Sequence, residues 1–310
     1  MLALATRRML NALITIWLAV TLAFILLRLL PGDAFTARLS LSGASQTQIE
    51  SRRALLGLDA PLLNQYVSLI TNLLQGDLGY SLVSGRKVKE MILEPFGSSL
   101  VLAGGAMVVG MVMGASMGVT AALGRSRLSR VSAWLIAFAS VSSPIYWTST
   151  LAILLFSVGL KWLPSIGAGA GIRPLILPWL VLGFTVSGGM ARLVGTVLNE
   201  LKDSDFARTA RAKGLSQKRI TYVHLLRAGA GTIITFIMLQ IGFLLSGTVV
   251  TEMIFVRPGI GTVLLSAIHD QDFPVVQGVV ILSALIYCIS ITIAEVTAGL
   301  LDPRLRMSSL

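Results

Sequence analysis

The stretch MLNALITIWLAVTLAFILLRLL, Met9–Leu30, decides which solvent this chain is built for, and it holds a single charge, Arg28, near its far end. A bilayer core of about 30 Å is crossed by roughly 20 apolar residues in a helix, so the run is long enough to span. A cleaved secretory leader is the competing reading, but its apolar region covers only about 7–15 residues; a retained first helix fits the length better. Five further stretches have the same character: Ser98–Leu123, Val131–Leu160, Pro174–Leu198, Thr232–Thr251 and Val275–Leu301. The expectation is an all-α integral membrane protein of about six spans, with the second and fourth interrupted by glycine and polar residues.

Composition agrees. Of 310 residues 55% are hydrophobic and 13% charged, where a soluble domain carries about 25% charged; the mean hydropathy is +0.82. The net charge of +11 on a soluble protein would suggest nucleic acid. Here it sorts by loop instead. Arg7 and Arg8 precede the first span, and Arg125, Arg127 and Arg130 fill the turn between the second and third. Lys202, Arg208, Arg211, Lys213, Lys218, Arg219 and Arg227 crowd the segment between the fourth and fifth, and Arg304 and Arg306 follow the last. All lie on one side if both termini are cytoplasmic, whereas the long loop 31–97 balances its basic and acidic residues, as an exported loop can. Membrane lipid is thus the expected surroundings, with no nucleic-acid partner. Spans two to six read as one packed unit, with residues 1–94 as an N-terminal attachment, 95–302 as the core and 303–310 as a cytoplasmic tail.

The search for catalytic chemistry returns little. Cys288 is the only cysteine and lies in an apolar run, so neither an internal disulfide nor a cysteine metal site is available. His224 and His269 are the only histidines and fall on opposite sides of the membrane in this topology, which rules out a two-histidine metal site. Neither HExxH nor the phosphate-binding GxxxxGK[ST] occurs; any nucleotide hydrolysis must come from another polypeptide. Span two carries Gly110, Gly114 and Gly118, overlapping GxxxG patterns that let helix backbones approach closely in lipid. Charges in or near spans are costly. Arg192 is read as snorkelling to the interface, while Glu252 and Glu295 are read equally as pathway residues or as partners in helix pairing. The stretch from Glu252 to Pro274, with Arg257, His269, Asp270 and Asp272, is either a contact surface or a plain connection.

The segment 199–231 is different in kind. Ser204 or Asp203 can cap a first short helix, Asp205–Lys213, rich in alanine. Gly214 sits where a left-handed residue ends a helix, and Ser216 can cap a second, whose apolar Ile220, Val223 and Leu226 recur at near-helical spacing. By pattern alone it reads as a solvated basic loop, as a patch on anionic lipid, or as a docking element for a partner groove.

The run DFARTARAKGLSQKRITYVHLLR, Asp205–Arg227, resembles the EAA loop of ABC-importer permeases, and more closely that of the dipeptide/oligopeptide/nickel branch. Further matches run along the chain: LLRLLPGD (Leu26–Asp33), LGLDAPLLNQY (Leu56–Tyr66), GDLGYSL (Gly76–Leu82), LKWLPSIG (Leu160–Gly167), TEMIFVRPGIG (Thr251–Gly261), DFPVVQGVV (Asp272–Val280) and LLDPRLR (Leu300–Arg306). The chain departs from the branch at Ala228–Thr232, at Phe206 in place of tyrosine and at Glu295 in place of aspartate. The resemblance implies a type I importer permease in the cytoplasmic membrane of a prokaryote. It implies a second related permease, two ATPase subunits that use ATP and Mg, and an extracytoplasmic binding protein as partners, with no cofactor bound by this chain. It also implies that Asp205, Phe206, Ala207, Arg208, Thr209, Ala210, Arg211, Ala212, Lys213, Gly214 and Leu215, with His224 and Arg227, form the coupling loop to the ATPase. Peptides, glutathione-like compounds, nickel and metal chelates are the implied substrates. A secondary transporter and a non-transport membrane protein are the rival readings.

Overall fold

The computed structural model describes residues 2–29, 45–55, 59–166, 169 and 171–301; among these the regular structure is helical, with one isolated antiparallel bridge between Tyr80 and Lys87. The N-terminal α1 (Leu2–Leu29) contains the span Leu10–Leu29 and buries only 11% of it, leaving its flank to lipid or a neighbouring helix. The stretch read as one long loop holds α2 (Gln46–Leu55) and α3 (Leu62–Leu74), and α4 (Val88–Leu123) starts ten residues before the expected second span. The helix α3 starts after Pro61, which cannot donate a backbone hydrogen bond but is tolerated at a helix start.

Among the described residues four helices are long and apolar enough to cross a membrane, and up to six spans result if each of two bent pairs counts as one. The breaks fall on the third and fifth spans, while the second and fourth, whose apolar runs glycine and polar residues make less clean, are continuous helices. The third consists of α5 (Arg127–Ser142) and α6 (Ile145–Ala152, continuing as a π-helix over Ile153–Gly159), bent by 112°. Pro144 forces this: Ser143 before it is extended (φ −85°, ψ 126°), as the residue preceding proline is pushed out of helical backbone. The fourth span, α7 (Arg173–Leu201), is continuous despite its glycines. The fifth comprises α9 (Gln217–Arg219), a π-helical stretch Ile220–Leu225, α10 (Leu226–Ala228) and, past Gly229, α11 (Ala230–Ile254), with a 64° bend. Between α7 and α9 lies α8 (Asp205–Ala212); α12 (Ile260–His269) and α13 (Phe273–Leu301) end the chain's described part.

Contacts sort the chain into two compact units, which do not follow chain order: Met1–Gly97 with Pro258–Cys288, and Ser98–Arg257 with Ile289–Leu310. In the first, Leu27, Val88, Ile92, Ile260, Val275 and Val279 form the core. Asp272, buried beside the N-terminus of α13, accepts the Ser81 hydroxyl and the Leu82 N–H (3.0 Å). Ser81 Oγ in turn accepts the N–H of Val83 (3.2 Å) and Ser84 (2.9 Å), so the GDLGYSL and DFPVVQGVV motifs are joined through one carboxylate.

In the second unit α7 is the central helix, with 56% of its span buried. Gly110, Gly114 and Gly118 face it. A Cβ at Gly110 would stand 3.0 Å from Gly183 O, at Gly114 2.5 Å from Met190 Cβ and 2.6 Å from Ser187 O, and at Gly118 2.6 Å from Ala191 O. Gly105 extends the same stripe against Trp179, whose Nε1 donates to Val101 O (3.0 Å). The glycines that suggested interruption are the seam along which the two helices touch.

Candidate coupling site

The helix α8 is short, polar and mostly outside the fold. Only Ala207 and Ala210 are buried, while Asp205, Phe206, Arg208, Thr209, Arg211, Ala212, Lys213 and Gly214 are exposed. Those two alanines enter a core with Met190, Val194 and Leu198 of α7 and with Ile220 and Leu225, flanked by Val119, Ala122 and Leu123 of α4 and by Leu215. Leu123 in that cluster sets the Arg125–Arg130 turn at the same end of this unit as the basic segment 202–227. The helix is tied back to α7 by Arg211, whose Nη2 donates to Lys202 O (2.7 Å); a guanidinium there also suits the negative end of α7. Ser204 stands at the N-cap position, but its hydroxyl donates to Leu201 O (2.6 Å) and caps nothing in α8.

The helix ends in a Schellman turn. Gly214 N–H donates to Arg211 O (2.9 Å), Leu215 N–H to Ala210 O (3.2 Å), and Gly214 has φ +76°, the pattern of a left-handed C′ residue with its apolar contact at C″. Past it, Ser216 Oγ accepts the Arg219 N–H at 3.4 Å. The second helix then widens into a π-helix, and the burial pattern changes with it. Ile220, Thr221 and Leu225 are buried, Leu226 and His224 half-buried, Val223 and Arg227 exposed. Spacing at 3.6 residues per turn had put Val223 on the face of Ile220; i→i+5 bonding shifts the face.

At the other end of this unit lies a polar cluster that only partly showed in the sequence. Glu252 on α11 is fully buried and its Oε1 accepts the Ser99 hydroxyl (2.5 Å). Arg257, just past the helix, donates from Nη2 to Ser98 Oγ (2.9 Å) and from its backbone N–H to Glu252 O (2.8 Å). Burial lowers the guanidinium's pKa from its ordinary value, and the charge of Glu252 works against that shift. Phe255, the hub of Leu177 and Val181, closes the same end. Between Phe255 and Arg257, Val256 holds φ +50°. Glu295 stands exposed on α13, and Arg192 is exposed on α7. Ser98 and Ser99 were missed because two serines at the mouth of a span carry no pattern of their own.

The chain belongs to the family described as binding-protein-dependent transport system inner membrane component, whose model matches residues 88–307, with the family's N-terminal model matching residues 1–103. Over 307 residues it is 36% identical to the glutathione transport system permease protein GsiC of Escherichia coli, covering 99% of each chain, and 35% identical to that of Shigella flexneri over the same extent. Its fold is similar to that in inward-facing structures of the MetNI methionine ABC transporter (TM-score 0.52, 18% identity, 67% of this chain and 96% of that one). It is therefore a permease component of the ABC-importer class.

Proposed function

We propose that the chain is the permease half of an ATP-driven importer that moves peptides or a related small solute into the cytoplasm by alternating access. One observation carries the reading: α8 buries two alanines and leaves a phenylalanine and a row of basic residues uncovered. A ring exposed on so polar a helix is what a groove-docking helix presents to its partner. The positive-inside distribution supports placing α8 and both termini in the cytoplasm, facing two ATPase subunits. In this reading a second, related permease completes the pathway, and an extracytoplasmic binding protein delivers the solute. Closure of the ATPase pair on ATP draws α8 along and rocks the spans outward; hydrolysis restores the inward-facing state. The glutathione in the relatives' names favours a peptide-type solute over nickel or a metal chelate.

Proteoliposomes holding this chain, its partner permease and the ATPases, given the binding protein and labelled dialanine or glutathione, test it. Uptake is expected with ATP on the ATPase side and none without it. Uptake driven by a proton or sodium gradient in the absence of the ATPases would establish a secondary transporter instead.

A further inference from the structure

Within the unit formed by Met1–Gly97 and Pro258–Cys288, a cleft of about 370 Å³ opens between the end of α1, α3, the Asp77–Leu82 turn and the start of α13. Its volume is at the small end of the ~300–1,000 Å³ usual for small-molecule sites. Two of the polar side chains lining it are unmet. Arg28 has its guanidinium 5.4 Å from the ring centre of Phe24 and 5.7 Å from that of Phe273, and its buried Nε has no hydrogen-bond partner among the described residues. Gln277 is 8% exposed and makes no side-chain hydrogen bond among them. Aromatic contacts occupy the faces of a guanidinium and leave its N–H edge for an acceptor in the plane. The acceptor that matches that edge is a carboxylate, held by two parallel bonds. Asn64, Gln65, Ser68, Asn72, Asp77 and Tyr80 supply the rest of the polar wall. Asp77 is exposed, accepts the Gly79 N–H on Oδ1 (2.9 Å), and offers a negative counterpole.

We propose that this cleft binds a small zwitterionic peptide, its terminal carboxylate on Arg28 and Gln277 and its amine beside Asp77. A lipid headgroup would also bring an anion, but it would have no use for the buried Gln277 amide or for the Asp77 carboxylate. The proposal rests on the peptide-type reading of the substrate and gives this chain a substrate contact of its own, apart from any binding protein.

Equilibrium dialysis of labelled dialanine against the full-length chain in phosphatidylcholine nanodiscs, with no ATPase or binding protein present, tests it. Saturable binding is expected, weakened roughly tenfold or more by Arg28→Gln or by replacing dialanine with its C-terminal amide, since each removes one half of a charged bidentate pair. Gln277→Leu should weaken binding as well. Asp77→Asn, at an exposed position, should weaken dialanine but leave N-acetylalanine unaffected. The proposal is overturned by absence of saturable binding, by equal binding of dialanine and its amide, or by unchanged binding in Arg28→Gln. Should Arg28→Gln not insert, unchanged dialanine binding in Asp77→Asn overturns it. Displacement of dialanine by phosphatidylglycerol or inorganic phosphate would assign the cleft to a phosphate group and also overturn it. A failure of the importer reading shows differently, as missing ATP-driven uptake with dialanine binding intact.

Discussion

At Gly214 the backbone, not crowding, is the constraint. Its φ is +76° and nothing lies within 4 Å of where a Cβ would stand. A left-handed conformation costs an ordinary residue about 1 kcal/mol and a β-branched one more. Gly214→Val is therefore expected to reach the membrane at normal level, yet to lose most uptake and the stimulation of ATP hydrolysis by loaded binding protein. Gly214→Asn, which accepts that conformation more readily, should keep most of both; normal uptake by the valine variant would remove the coupling assignment. Val256 has the reverse problem, a β-branched residue at φ +50° that is 63% exposed. Val256→Gly should stabilise the protein by about 1 kcal/mol, read as a higher thermal midpoint in detergent, and an unchanged or lower midpoint would count against strain there. Gly214 was legible because an alanine-rich helix and a new serine cap flank it. Val256 was not, since local propensity argues against the conformation it holds. Nor were Ser99–Glu252 and Ser81–Asp272, whose partners lie 153 and 191 residues apart.

At the scale of elements, periodicity located the helices well and their breaks poorly. Glycine inside a span reads as a weakness until the facing helix is known. On α4 the glycines admit the backbone of α7, while Pro144 and Gly229 produce the two bends. The long stretch after α1 was read as a loop because its charges balance, which hid the polar α2 and the amphipathic α3. The seam is testable by size. Gly114→Leu would drive a side chain into Met190 and the Ser187 carbonyl, and such overpacking costs roughly 1–3 kcal/mol or more where backbone must shift. The variant should elute as a smaller monodisperse fraction after heating in detergent. Gly104→Ala, on the same helix with nothing within 4 Å, should match the unaltered chain. Equal losses from the two would mean that the α4–α7 contact is not specific.

For the whole molecule, class and family were readable from the sequence because hydropathy, charge placement and the Asp205–Arg227 run all point the same way. What the sequence could not show is that Leu123 and Ala210 share a core, which brings two basic segments separated along the chain to one end of a bundle. That end is the proposed ATPase face, so contact there is the quantity to measure. In the assembled, transport-competent complex, p-benzoylphenylalanine in place of Phe206, a residue 42% exposed, can be photoactivated and its adducts identified by mass spectrometry. The expected result is that this chain is joined to an ATPase subunit from position 206, and that the same photoprobe in place of Asp77 yields no such adduct. An ATPase adduct from position 77, or none from position 206 in a complex that still transports, would contradict it.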